Sequence, residues 1–168
     1  MTIIDELKKL EKSKIFKDWK SKHAKAYLAH CFKMFDEANK EFWQIGYYNP
    51  ETNLITVFVV GKDIAKNEDA EVFKEQEKLV QQLNINDVSV FEDLAMQKAE
   101  EVLAKEYKGS SIFKKFMILQ HLENHGQIWN VTFITNQFKT INVKISASTG
   151  KLESHKQVSL IESKDIIK

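Results

Sequence analysis

Three side chains able to bind a metal ion stand at alternate positions in His121-x-Glu123-x-His125. Alternate residues of an extended strand point to the same side, so these three side chains could approach one ion. Zinc sites usually draw ligands from a second segment as well, and no second segment has suitable spacing. Glu123 to Gly126 is also typical of a hairpin turn. We therefore interpret the trio as polar turn residues and predict neither a metal nor another cofactor.

Cys31 beside His30 is the one candidate pair of nucleophile and base. Sequence neighbours in a strand point to opposite faces, so we interpret Cys31 as a small buried residue instead. The sequence contains no glycine-rich phosphate loop, no Gly-x-Ser-x-Gly elbow and no His-Glu-x-x-His helix. We expect a protein that is not an enzyme. A hydrolase built from dispersed residues is a third hypothesis, after the binding module and the ligand carrier described below.

The charge composition bears on partners and on location. All 25 basic residues are lysine, and the formal net charge is +1. Specific nucleic-acid recognition uses the guanidinium fork of arginine, so its absence argues against such a role. Charged residues interrupt the apolar positions from Met1 to Lys9, unlike a signal peptide, and no stretch approaches the roughly 18 apolar residues of a membrane span. With its single cysteine, the chain is expected to be cytoplasmic, with no membrane partner.

One hydrophobic pattern occurs twice in the chain. The segments 43–47 and 55–59 recur as 129–133 and 141–145 at an offset of 86. Upstream of the first turn the offset becomes 87, which aligns Cys31 with Ile118. The repeat predicts two tightly associated tandem units, covering residues 1–66 and 67–168, whose join lies in the charged stretch 61–69.

The predicted elements give an α+β protein in which each unit packs helices on an antiparallel sheet of three to four strands. Helices are expected from Thr2-x-x-Asp5 onward, over 14–25 and 69–83, and from a capping box at Ser89 to Gly109. The alternation of apolar residues predicts strands over 27–35, 42–48, 54–60, 112–122, 127–135, 139–146 and 152–161. Thr149-Gly150 supplies a residue tolerant of positive φ in a tight turn.

Residues 87–161 resemble the PepSY domain, the family named after peptidase propeptides and YpeB. The resemblance is carried by three segments, which are 88–95 (VSVFEDLA), 129–133 (WNVTF) and 145–152 (ISASTGKL). It implies a helix packed on an antiparallel sheet, as in cystatin-like folds, with no catalytic residues and no cofactor. It also implies a role in binding or inhibiting a peptide or a protease, and the tandem repeat would make the module duplicated.

The two faces of the repeated strands differ between the copies. We assign to the core the face with Trp43, Ile45, Tyr47, Ile55, Val57 and Val59, together with its copy from Trp129 to Ile145. The other face is more apolar in the first copy than in the second, which suggests that it covers something. Its apolar residues are the predicted binding surface: Phe42, Tyr48, Leu54, Phe58 and Val60.

Several occupants of that surface are open. The helix expected over 69–83 could pack on it, or it could bind a protein or peptide partner, in an inhibitor-like manner or as a homodimer. The alternative function is a carrier of a small apolar ligand, with a pocket between Tyr48 and Phe58.

Overall fold

The computed structural model describes residues 2–71 and 79–161. The described residues form an α+β fold of three α-helices, a short 3-10 helix and a nine-stranded antiparallel sheet, so the predicted class is confirmed. The helices are α1 (Ile3–Lys12), α2 (Lys14–Lys22) and α3 (Glu92–Glu106). The strands are β1 (Tyr27–Met34), β2 (Trp43–Asn49), β3 (Leu54–Val60), β4 (Ile64–Lys66), β5 (Ala70–Glu71), β6 (Ile112–Leu122), β7 (Gly126–Thr135), β8 (Lys139–Ser146) and β9 (Leu152–Ser159).

The sheet has two antiparallel meanders that meet in its centre. Its strand order is β4-β3-β2-β1-β6-β7-β8-β9, with β5 beside β3. We call β1 to β4 the first meander and β6 to β9 the second. They join where β1 pairs with β6, so the two repeated segments lie in one continuous sheet. The two tandem units and their boundaries, 1–66 and 67–168, stay predictions.

All three helices pack on one face of the sheet, here called the helix face, and the opposite side is the open face. Phe16 and Trp19 of α2 lie against Phe58, with ring centroids 5.4 and 5.2 Å away. α3 packs over β7 and β8, and its buried residues include Ala95 and Ala99. The buried residues of the two meanders on this face, among them Trp43, Ile45, Trp129 and Val131, therefore lie between sheet and helices in a single core.

The two repeated tryptophans meet in that core. Trp43 of β2 and Trp129 of β7 lie on the helix face, and their ring centroids are 6.3 Å apart, across the central strands. The Nε1–H group of Trp129 donates a hydrogen bond to the carbonyl of Val90, at 2.7 Å. Both indoles are buried, which confirms the prediction that they belong to the core.

The pairing of β2 with β3 corrects the predicted faces. Trp43 lies opposite Val60, whereas Trp129 lies opposite Ile145. The β2–β3 connection spans residues 50–53 and the β7–β8 connection spans 136–138, so the first is one residue longer. Because side chains alternate between faces, one extra residue reverses every side chain of the next strand. Ile55, Val57 and Val59 were thus assigned to the wrong face, and Phe58 and Val60 lie beneath the helices.

The same comparison shows which turn differs in length between the two meanders. Cys31 lies opposite Ile45, and Met117 lies opposite Val131. Cys31 therefore corresponds to Met117 at the unchanged offset of 86, and its predicted alignment with Ile118 was wrong. The length difference lies in the second turn of each meander.

The predicted start of α1 at Thr2 is confirmed, and Thr2 and Asp5 form a capping box there. Two other helix predictions need correction. Over 69–83, residues 70–71 are strand and 79–83 are not helical, while 72–78 lie outside the described residues. Ile64–Lys66 is a strand within the stretch where an irregular join was expected. α3 begins at Glu92, since the backbone N–H groups of Ser89 and Val90 both bind the carbonyl of Ala147.

Glu92 does not complete the capping box expected at Ser89. Its Oε1 accepts a hydrogen bond from the backbone N–H of Ile3, at 3.2 Å, so it caps α1 instead. This carboxylate joins the N-terminus of α1 to that of α3.

Candidate binding surfaces

The sheet separates the five residues of the predicted binding surface. Phe58 and Val60 lie on the helix face and are fully buried. Tyr48 lies on the open face but is also buried, and Leu54 is half-buried at the start of β3. Phe42, with 39% of its surface exposed, is the most accessible of the five. Because Tyr48 and Phe58 point to opposite faces, they cannot line one pocket.

Phe42 lies at a hollow of about 180 Å³ on the open face. Gly61 permits this position, because a Cβ atom there would lie 2.4 Å from Cδ1 of Phe42. Beside the hollow, the rings of Phe32 and Phe116 lie 5.6 Å apart across the central strands. The hollow is lined by Phe32, Met34, Asn39, Phe42, Gln44 and Val59. This end of the open face thus presents apolar side chains around a depression.

The other end of the open face is bordered by the irregular segment 79–84, which passes the start of β1 and buries Leu83 in the core of the helix face. The hydroxyl of Tyr27 donates to the carbonyl of Val80 at 2.6 Å, and the N–H of Leu83 donates to the carbonyl of Leu28 at 2.8 Å. The ring of Tyr27 lies 5.6 Å from that of Tyr48. The sequence predicted that this apolar face contacts another element or a partner. At this end, the contact is made by the chain itself.

His30 lies between these two ends, and sequence reasoning missed its position. Its imidazole lies against Gly46 on the neighbouring strand, where a Cβ atom would come within 2.2 Å of the ring. Burial lowers the pKa of His30, so the ring is neutral at neutral pH. A glycine inside an aromatic strand was the available signal, because such a glycine often marks close approach of another group.

The candidate metal trio surrounds a turn, as predicted. Leu122 pairs with Gly126, and the intervening residues connect β6 to β7. Nδ1 of His121 is 3.1 Å from the carbonyl oxygen of Gln82, whereas Nδ1 of His125 is 3.7 Å from Oε2 of Glu153. Among the described residues, no three His, Cys, Asp or Glu side chains gather to hold a metal ion.

Cys31 and His30 are not brought together either. Cys31 is buried on the helix face, and His30 lies on the open face. Burial raises the pKa of the Cys31 thiol, and the nearby Glu92 carboxylate raises it further. A neutral, buried thiol is a poor nucleophile.

A second hollow lies on the helix face where β1 ends and β6 begins. It has a volume of about 280 Å³ and is roofed by Glu100 and Leu103 of α3. Nζ of Lys115 is 2.8 Å from Oε1 of Glu100 at its rim. Its apolar walls are Phe35, Leu103, Ile112, Phe113 and Phe133.

The comparisons with known proteins support the fold alone. No family model and no curated protein matches the chain. The fold is similar to a crystal structure described as "a putative lipoprotein" from Clostridium difficile, with a TM-score of 0.56 and 13% sequence identity. The match covers 86% of this chain and 90% of that chain. At this identity, the similarity establishes the arrangement of helices and sheet.

No helix in the described parts of the chain is long and apolar enough to cross a membrane.

Proposed function

We propose that the protein is a non-enzymatic binding module whose open face, at the hollow beside Phe42, takes an apolar side chain of a protein or peptide partner. The supporting observation is that hollow. Its volume of about 180 Å³ is below the roughly 300 Å³ at which small-molecule pockets begin, and it suits one side chain of a partner. An anchor side chain filling such a pocket contributes strongly to binding. The role agrees with the inhibitor-like binding that the PepSY resemblance implies.

A phage-displayed library of random linear peptides, selected on the immobilised protein, tests this function. The selected peptides should share an aromatic or aliphatic anchor, and Phe42→Glu should weaken their binding at least tenfold, because it places a charge in the hollow. Leu94→Glu is the matched control, because Leu94 is similarly exposed but belongs to α3, on the opposite side of the sheet from the hollow. Equal binding by both variants, or no enriched peptide, would contradict the proposal.

The second candidate function is a carrier of a small apolar ligand. The observation in its favour is the hollow between α3 and the end of β1, whose volume of about 280 Å³ is close to the roughly 300 Å³ at which small-molecule pockets begin. Native mass spectrometry should detect a co-purified ligand bound to the wild type. Leu103→Trp would fill this hollow, so the variant should carry no ligand. A wild-type protein that carries no ligand would count against the carrier.

A cytoplasmic location is part of the proposal. It rests on the single cysteine, which agrees with a reducing compartment. The word lipoprotein describes the similar structure and not this chain. Fractionation of native cells would contradict the proposal if the protein were recovered with membranes.

A further inference from the structure

We propose that β9 pairs with β9 of a second copy of this chain and so joins two sheets edge to edge. β9 lies at the end of the strand order and, among the described strands, pairs with β8 alone. All its residues except Ser159 are exposed. Most of this strand therefore faces solvent, although Tyr107 contacts the ring of His155 on the side of the helix face. The inference does not depend on the hollow beside Phe42.

The hydrogen bonds around β9 show which backbone groups face outward. The N–H of Leu160 donates to the carbonyl of Phe138, and Val158 lies opposite Thr140. The N–H of Ala147, directly after β8, points away from β9 and donates to the carbonyl of Gln127 in β7. Successive residues of an antiparallel strand direct their N–H and C=O groups to opposite sides. The outward residues of β9 are therefore His155, Gln157 and Ser159.

An extended backbone is the natural complement of this edge, because its N–H and C=O groups can pair with the outward ones. β9 contains no proline, and no described strand covers it. The opposite edge is different, since β4 has three residues, ends in Lys66 and is preceded by Lys62. Short strands and lysines are common protections against edge pairing.

Exposed apolar side chains also gather at this edge. At the end of β9, Val158 is 43% exposed and Leu160 39%, and the neighbouring Phe138 is 57% exposed. In an ordinary soluble surface such residues are scattered, whereas a concentration of them marks an interaction surface.

A second copy fits β9 in one antiparallel register better than in its neighbours. With Gln157 opposite itself, His155 faces Ser159 and Lys156 faces Val158 of the second copy. No like charges lie directly opposite, and the stem of Lys156 can cover the valine. A register centred on Lys156 would oppose two ammonium groups. A register centred on His155 would extend across the irregular pairing where Lys144 meets Ser154 and Ile145 meets Leu152.

The expected dimer is weak. Pairing of one strand buries less than the roughly 1,200 Å² of a standard stable interface. Sedimentation velocity should therefore show a monomer–dimer equilibrium that depends on protein concentration.

Gln157→Pro tests whether β9 forms the interface. Proline removes an outward N–H, which an edge strand tolerates, so the fold should remain and dimerisation should weaken at least tenfold. Gln157→Ala keeps that N–H and should dimerise like the wild type. A circular dichroism spectrum and melting temperature close to those of Gln157→Ala would show that the proline variant is folded.

Cross-linking tests the register. Gln157→Cys should form a disulfide-linked dimer under mild oxidation, because opposite residues of a hydrogen-bonded pair have Cα atoms about 5.5 Å apart. Lys156→Cys should not, since it faces Val158 of the second copy.

Three outcomes would overturn the proposal. They are a wild-type monomer at every concentration, a Gln157→Pro variant that dimerises as well as Gln157→Ala, and cross-linking of Lys156→Cys in preference to Gln157→Cys. If the protein were monomeric and bound a different protein through β9, the proposed dimer would be wrong and that protein would be the partner of this edge.

Discussion

The two meanders share one helix face but have different open faces. In the second meander, Nδ2 of Asn142 donates to Asn130 and, at 3.0 Å, to Oγ1 of Thr132. Strand pairing places Gln44, Gly46 and Val57 at the corresponding positions of the first meander. There the imidazole of His30 covers Gly46 in place of a polar network. The shared core requires an apolar helix face in both meanders, whereas the open face is more apolar in the first meander and carries a polar network in the second.

The largest expected effect comes from exchanging a core residue of the first meander. Phe58→Ala should lower the free energy of unfolding by about 3–5 kcal/mol, because it empties space beneath Phe16 and Trp19. Val143→Ala, at the corresponding place in the second meander, removes fewer atoms and should lower it less. Urea denaturation measures both. A loss below about 1 kcal/mol for Phe58→Ala would mean that Phe58 faces solvent.

Gly46→Ala should have a smaller effect, about 1–3 kcal/mol of destabilisation, because the new methyl group overlaps the ring of His30. The corresponding change in the second meander, Thr132→Ala, removes one hydrogen-bonding hydroxyl and should be milder. Adding His30→Ala to Gly46→Ala should recover part of the loss in thermal denaturation. If the double variant were less stable by the sum of both changes, the close approach of His30 would not be the cause.

Glu92→Gln tests the connection between the helices of the two meanders. Burial raises the pKa of Glu92, and the neighbouring Asp93 raises it further. The folded state then holds this proton more tightly than the unfolded state, so the stabilisation present below the unfolded pKa is lost as the pH rises through the folded pKa. Glutamine keeps an oxygen for the N–H of Ile3 without the charge.

The variant should therefore be more stable than the wild type at neutral pH, by about 1 kcal/mol, with a smaller difference in acid. Denaturation curves at several pH values measure this. A less stable variant at neutral pH would show that the ionised carboxylate is favoured, with Lys33 as its counter-charge.

Local pattern was sufficient to predict most of the elements. The alternation of apolar residues gave every strand of both meanders except β4, and Thr2 with Asp5 gave the start of α1. Gly150 has φ of +73°, as its predicted turn requires. These features depend on neighbours in sequence, which a single chain displays directly.

The faces and the site depended on features that local pattern does not display. One additional residue in the connection 50–53 reversed β3, and turn length is ambiguous among polar residues. Glu92 has the spacing of a local cap, yet it binds Ile3, 89 residues away. Phe42 could be named from its place beside β2, but its hollow is formed by residues of three strands, which only the fold brings together. The exposure of β9 follows from its place at the end of the strand order.

The contact between Trp43 and Trp129 has an optical consequence. Two buried indoles with centroids 6.3 Å apart and ring planes inclined at 52° have electronic transitions close enough to couple. Circular dichroism should therefore contain a paired positive and negative band that neither indole produces alone, and Trp43→Phe or Trp129→Phe should abolish it. Because each meander contributes one chromophore, the amplitude of that signal reports the moment in folding at which the two halves of the sheet come together.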